Sequence, residues 1–457
     1  MLVSSPTLKT LAVPAARSPL LWVPTGYFTM ALGYTMLCSV TAIMFKNVGM
    51  DNGKAAAYSS MLILAYTIKP LFAPFVEMYR TKKFFVLCAQ VLIGLGFAGA
   101  ALAMALPDYM ALLLPMLWLM SFIGATQDIA SDGVYVTALD AHAQSLYCGV
   151  QSLSWNIGPI IGSGALVYLS GRLHTDVFGH DARSFGPQWM EAWRVVFFIV
   201  AGITLLMAAW HARFMPEGAP AANTPTSLRG AGAILWDAFV TFFQKRGVWR
   251  MVAFAFLFRL GIGLLEKIGP FFMVDSKAKG GLGLSNELLG IVYGTYGLAA
   301  VLLGSLLGGL FVARRGLQPT LLLLCCAVNI PNVTFLIMSV SMPTSLAAIG
   351  AGVVIEKFFF GFGSVGFMIY LMQQLAPGKY TTTHYAFGTG LMGLCNMLTG
   401  MVSGHLQEAL GYVSYFVLVM AAGIPSLLVC WLAPFHHGEG TATAVPECIT
   451  TGARHEI

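Results

Sequence analysis

Ala73-Pro74-Phe75-Val76-Glu77-Met78-Tyr79-Arg80-Thr81-Lys82-Lys83 closes one long apolar run and opens the next. Further along, Gly309-Leu310-Phe311-Val312-Ala313-Arg314-Arg315-Gly316 does the same. In each, a small residue ends the apolar run and basic residues form a tight turn before apolar sequence resumes. The first copy has an acid, Glu77, four residues after Ala73; the second has Ala313 at the matching place. One basic loop could be a simple topological signal. The same turn after the second and the eighth apolar runs implies a chain built of two comparable halves.

Working outward, apolar runs fall near 20–45, 55–76, 84–106, 109–138, 145–170 and 190–212, then near 249–274, 286–312, 319–341, 344–376, 380–407 and 411–433. A spanning helix needs roughly 20 mainly apolar residues. The pattern predicts an all-α integral membrane protein of twelve transmembrane helices in two six-helix halves, residues 20–212 and 249–433. Composition agrees: 57% of the 457 residues are hydrophobic and only 10% charged, against about 25% charged in soluble domains. Lipid must therefore solvate most of the exterior. The 50 glycines suit helices whose backbones approach closely.

Residues 1–19 form a short leading segment and 213–248 a linker, which opens with Pro216, Gly218, Pro220 and Pro225. In the linker's second part Ile234, Leu235, Ala238, Phe239, Phe242 and Phe243 share one helical face. Asp237 lies opposite, and Lys245 and Arg246 close the segment, which predicts a helix on the membrane surface. The polar tail 434–457 is expected to be disordered. Placing the N-terminus in the cytoplasm puts fourteen Lys and Arg on the cytoplasmic side against seven outside. Both termini are therefore expected in the cytoplasm.

Several function classes drop out. The net charge of +6 is not gathered into a basic cluster with interleaved aromatics, so nucleic-acid binding is not expected. The eight cysteines show no metal-ligand spacing and read as small buried hydrophobes. Gly361, Gly363 and Gly366 spell G-x-G-x-x-G, but inside an apolar run with no preceding strand. Close helix packing accounts for them. No hydrolase, P-loop or metalloprotease motif occurs, and neither a cofactor nor a metal is expected. A membrane sensor or scaffold would need a larger soluble output domain than this chain offers.

Charges within the spans are the informative residues. Each costs at least about 2.5–3.5 kcal/mol at a helix centre, so it faces a cavity or a partner. Asp128 and Asp132 stand four apart on one face of the fourth span, beside Gln127. Two neighbouring carboxylates out of water do not readily stay ionised together. Such a pair can take up and release a proton, with Lys69 as a possible partner. The alternative is a structural ion pair with Lys69. Arg259 in the seventh span could bind an anionic group with its planar fork or neutralise an aspartate. Glu356 in the tenth span is a candidate site or gate residue, with Lys357 pointing about 100° away. Glu266 and Lys267 lie nearer the outer end of the seventh span and are expected to snorkel to the interface. Gln151, Trp155, Asn156, Tyr293, Tyr296 and Asn396 would line a cavity for a polar solute, or join helices by hydrogen bonds.

The two basic turns resemble the loop signature of the major facilitator superfamily, which implies parallel six-helix halves around a central site. Glu77, Arg80, Lys82 and Lys83, with Arg314 and Arg315, would form its gating loops, clamping helix ends across the halves. Thr126-Gln127-Asp128-Ile129 followed by Asp132 resembles the fourth-helix motif of AmpG-type muropeptide permeases. Lys69, Pro74 and Glu77 resemble that family's second helix, Arg259-Leu260-Gly261 its seventh, and Glu356 followed by Gly361 and Gly363 its tenth. The chain departs from the pattern at Tyr135, Thr137 and Ile262. The resemblance implies a proton-driven importer of the bacterial inner membrane, monomeric in the bilayer, carrying GlcNAc-anhydroMurNAc with or without peptide. Relatives in the wider group carry siderophores or acetyl-CoA, and a siderophore permease is the alternative it leaves open.

Overall fold

A computed structural model describes residues 18–78, 80–218 and 228–435. The leading segment 1–17 and the tail 436–457, with the expected disorder of the latter, lie outside the described residues, as do the side chains of Pro74 and Glu77. The helices are α1 (Pro19–Asn47), α2 (52–78), α3 (Lys82–Ala103), α4 (Tyr109–Ala138), α5 (141–177) and α6 (Trp189–Phe214). After them come α7 (Leu228–Phe243), α8 (Val248–Val274), α9 (Asn286–Arg315), α10 (Leu321–Ser341), α11 (Leu346–Leu375), α12 (381–410) and α13 (412–431). No strand occurs among the described residues.

Nine helical stretches among the described residues are individually long and apolar enough to cross a membrane. One of them is two spans, α12 and α13, which run on until Gly411 takes a positive φ of 72°. A side chain there would be strained, so glycine makes the corner. The α2 and α5 spans are not among those nine, and both are locally irregular. In α2 the helix breaks after Met61 and again at Ile68, where Pro70 cannot supply a backbone donor. In α5 the turn after Pro159 widens over Ile160–Leu166.

Such widened turns recur at Met36–Val40 in α1, Gly290–Gly297 in α9 and Leu371–Leu375 in α11. They shift which face looks inward and release backbone carbonyls for other donors. Two lysines use them. Lys267 donates to the Cys38 carbonyl, and Lys245 to the carbonyls of Leu375 at 2.5 Å and Pro377 at 2.7 Å.

Helices α1–α6 and α8–α13 meet along two close seams, α2 with α12 and α5 with α9. Both seams need glycine. A Cβ on Gly290 would lie 2.6 Å from the Gly164 carbonyl oxygen and 2.7 Å from the Tyr168 nitrogen. Gly404 leaves no room between itself and the Asn52 backbone. Polar bonds between the halves gather at the same end of the bundle. Asp275 pairs with Lys46 at 2.6 Å and accepts from Asn52 at 3.0 Å and Tyr412 at 2.5 Å. Asn286 bonds Asn47 at 2.7 Å and Ser170 at 3.0 Å. This end is sealed.

The linker helix α7 packs on α12. Phe242 and Ala238 are buried, with Phe242 5.4 Å from Phe387. Asp237 is not a free polar face: it accepts from Lys379 at 2.8 Å and Tyr380 at 2.6 Å. Trp236, Phe239 and Ile234 stay exposed. Gly361 and Gly363 sit against the backbones of α9 and α10, which is the close packing expected of them.

Candidate functional site

The break in α2 places Lys69 at the first turn of a new helical segment, aimed at α4. Its ammonium pairs with Asp128. Asp128 is buried, and the Lys69 side chain is one-third exposed. Asp132, one turn further from the sealed end, is solvent-accessible and accepts a 2.7 Å bond from the Tyr27 hydroxyl on α1. The structure thus joins the three residues into one group, with a different environment for each carboxylate. Asp128 has the cation; Asp132 has a neutral donor and access to water.

This group borders a cavity of about 230 Å³ lined by Tyr34, Tyr66, Thr67, Lys69, Asp128, Trp155, Met392 and Asn396, among others. A second cavity, also about 230 Å³, lies nearer the sealed end and shares Tyr34 and Trp155 with the first. Its walls include Glu266, Lys267, Tyr293, Lys357 and Phe360. Tyr34 packs edge-on to Tyr66 at 4.9 Å, so an aromatic waist stands between the chamber that holds the Lys69–Asp128 pair and the one that holds Glu266, Lys267 and Lys357. Arg259 stands beside that waist: its guanidinium is 5.1 Å from the Phe360 ring and its Nη1 is 3.3 Å from Met392 Sδ.

Of the expected cavity residues, Trp155, Tyr293 and Asn396 line these spaces. Gln127, Gln151, Asn156, Arg259, Tyr296 and Glu356 do not. Gln127 is buried within the bundle, and Asn156 donates to the Ser152 carbonyl of its own helix at 2.8 Å. Tyr296 is 58% exposed. Glu356 is fully buried, with its carboxylate 3.2 Å from the Lys357 ammonium. Its neighbour Lys357, and not Glu356, reaches the cavity.

Two expectations need correction. Lys267 does not snorkel; it is buried and turns into the cavity, because the widened turn of α1 offers it a carbonyl acceptor. Glu266 lines the same cavity. The bonds of the described residues in the basic loop after α2 do not cross between the halves. Lys83 lies 3.7 Å from Glu217, and Thr81 donates to Glu217 at 2.9 Å, so the loop ties α3 to the chain leaving α6. Lys82 is buried against α4 beside Gly133. Arg80 lies 5.8 Å from the Phe84 ring. Arg314 and Arg315 are exposed at the end of α9.

Residues 25–404 match the family model of the Major Facilitator Superfamily. The chain belongs to that superfamily. The match runs through both halves and includes each residue of the Lys69–Asp128–Asp132 group. It is 22% identical over 407 residues to a putative transporter AmpG 4 of Rickettsia conorii, covering 86% of this chain and 91% of the relative. It is 24% identical over 387 residues to the anhydromuropeptide permease of Escherichia coli K12, covering 82% and 72%.

Solved structures give the same fold. The D-xylose-proton symporter superposes with a TM-score of 0.67 at 14% identity over 90% of this chain and 96% of its own. A bacterial homologue of the lysosomal transporter Spinster, inward-facing and occupied, superposes with 0.68 at 15% over 91% and 96%. The chain is a multi-pass secondary transporter of small solutes and not an enzyme.

Proposed function

We propose that this transporter imports cell-wall muropeptides, GlcNAc-anhydroMurNAc with or without its peptide, across the bacterial inner membrane by proton-coupled alternating access. The observation that carries the coupling is the Lys69–Asp128–Asp132 group beside a central cavity whose one end is sealed. The named relatives support the solute, and the bias of Lys and Arg supports both termini in the cytoplasm. On that orientation the sealed end faces outward, and the group communicates with the cytoplasm through Asp132.

Proton and solute are then linked by charge balance. With Asp128 ionised, its attraction to Lys69 holds the kink of α2 against α4. A proton on Asp128 removes that attraction and lets the segments separate. Asp132, held by Tyr27 and open to water, relays the proton to the cytoplasmic side. Glu77, Arg80, Lys82 and Lys83 in one loop, and Arg314 and Arg315 in the other, keep the ends of each half in register as the halves rock. Gln127, Gln151, Asn156, Tyr296 and Glu356 act by shaping the walls around the cavity residues. One copy of the chain contains every group this scheme needs, consistent with a functional monomer.

The test is uptake of labelled GlcNAc-anhydroMurNAc into proteoliposomes under an imposed inward proton gradient. Accumulation that collapses with a protonophore is the expected result. D132N should abolish uphill accumulation while leaving folded protein in the membrane. Undiminished accumulation by that variant would refute the coupling role.

A further inference from the structure

The cavity nearer the sealed end contains two ammonium groups that the coupling scheme does not use. Lys267 on α8 and Lys357 on α11 are each only 7% exposed and both line it. Lys357 is matched: Glu356 lies 3.2 Å from its nitrogen, and the ring of Tyr293 lies 4.5 Å away. Lys267 is not matched in the same way. The acceptor for its ammonium is a neutral one, the Cys38 carbonyl across the interface between the halves. Lys267 and Glu266 form no ion pair with each other or with another residue among the described residues. An ammonium carries three donors, and one neutral acceptor is weak compensation for a charge this deep in a bundle.

The wall also holds the Glu266 carboxylate, which an anionic guest must avoid; its aromatic and cationic groups suit such a guest. Phe360 lies 5.6 Å from Lys357 and 5.1 Å from the Arg259 guanidinium. Cations held over aromatic faces stay fixed in place without spending a carboxylate. The cavity of about 230 Å³ admits an acid group and its substituents. The neighbouring chamber beyond Tyr34 and Trp155 leaves room for the rest.

We propose that this cavity is the subsite for a carboxylate of the transported solute, clamped between Lys267 and Lys357. This deepens the muropeptide reading and rests on it, since peptide-free GlcNAc-anhydroMurNAc carries a free lactyl carboxylate; in the peptide-bearing form that carboxyl is an amide, and a carboxylate of the peptide takes its place. The carboxylate takes Lys267 from the Cys38 carbonyl. One bond between the halves is thereby exchanged for a bond to the solute, so occupancy itself loosens the α1–α8 contact below the seal. The charge pairs in the two chambers are separate: Asp128 already has Lys69, and the solute's acid completes Lys267.

The experiment is equilibrium binding of GlcNAc-anhydroMurNAc and of its lactyl methyl ester to the purified full-length protein. Charge-assisted hydrogen bonds predict that the acid binds about ten- to a hundredfold tighter than the ester. Lys267→Gln and Lys357→Gln, assayed separately, should each bring the acid's affinity down toward that of the ester. The comparison of acid with ester in the unaltered protein stands even where a variant fails to fold. Equal binding of acid and ester overturns the subsite and leaves the muropeptide reading intact. A preference for acid that survives both substitutions in folded protein also overturns it. If folded protein binds neither form, the muropeptide reading itself falls, and the subsite with it.

Discussion

Replacing Gly290 by alanine puts a methyl group where α9 crosses α5. Its Cβ would lie 2.6 Å from the Gly164 carbonyl oxygen, and ordinary contact begins at 3.4 Å, so the helices must part by about 0.8 Å at this point. Both nearest atoms belong to the backbone of α5, and no side chain can rotate away. Overpacking of this kind costs about 1–3 kcal/mol. The cost falls on the sealed conformation alone, because this seam joins the two halves and opens when they rock apart. The ratio of sealed to open molecules should therefore fall by about 5- to 150-fold. Spin labels at Asp51 and Lys277, both exposed at the sealed end, report the change by pulsed electron double resonance in a cysteine-free background. The unaltered protein should give one short distance, and G290A a second, longer population. Gly309→Ala is the control, since nothing lies within 4 Å of its added Cβ. A G290A distribution identical to that of the unaltered protein would refute the claim that the α5–α9 seam holds the seal.

D275N removes the charge that compensates buried Lys46, and removing one partner of such a pair costs about 3–5 kcal/mol. A cysteine at Ser60, buried below the seal, should then react with a membrane-impermeant thiol reagent, and continued protection would count against the Lys46–Asp275 pair as a latch. Lys69→Met leaves Asp128 buried without its cation, and transport should be lost; retention of gradient-driven uptake would separate the pair from coupling. The linker helix should respond to acid. Bonds from Lys379 and Tyr380 hold the Asp237 carboxyl below its usual range. Its contribution to docking is therefore full above the ordinary carboxylate pKa of about 4 and is lost as pH falls through the lower folded value. Fluorescence of a single Trp236 reporter should stay level to about pH 4 and change below it, and D237N should remove that transition.

Much of this protein was legible in one dimension because lipid is an unforgiving solvent. A backbone that crosses it must be helical and apolar for about 20 residues, and so the spans stand out as runs in the sequence. The same cost made Lys69, Asp128 and Asp132 conspicuous, and their four-residue spacing on α4 put both carboxylates on one face. Rotation about a helix axis was not legible in the same way. Glu356 and Lys357 are adjacent, and only packing against α9 decides that the lysine, and not the acid, enters the cavity. Nothing local to Lys267 announces that a widened turn more than two hundred residues earlier will present the Cys38 carbonyl to it. Nor does the loop at Lys83 reveal that its partner is Glu217. Solvation and spacing alone determined the spans, the two halves and the carboxylate group. The seal, the partners of the gating loop and the lysine-lined chamber depend on contacts between distant segments, and those exist only once the halves are packed together.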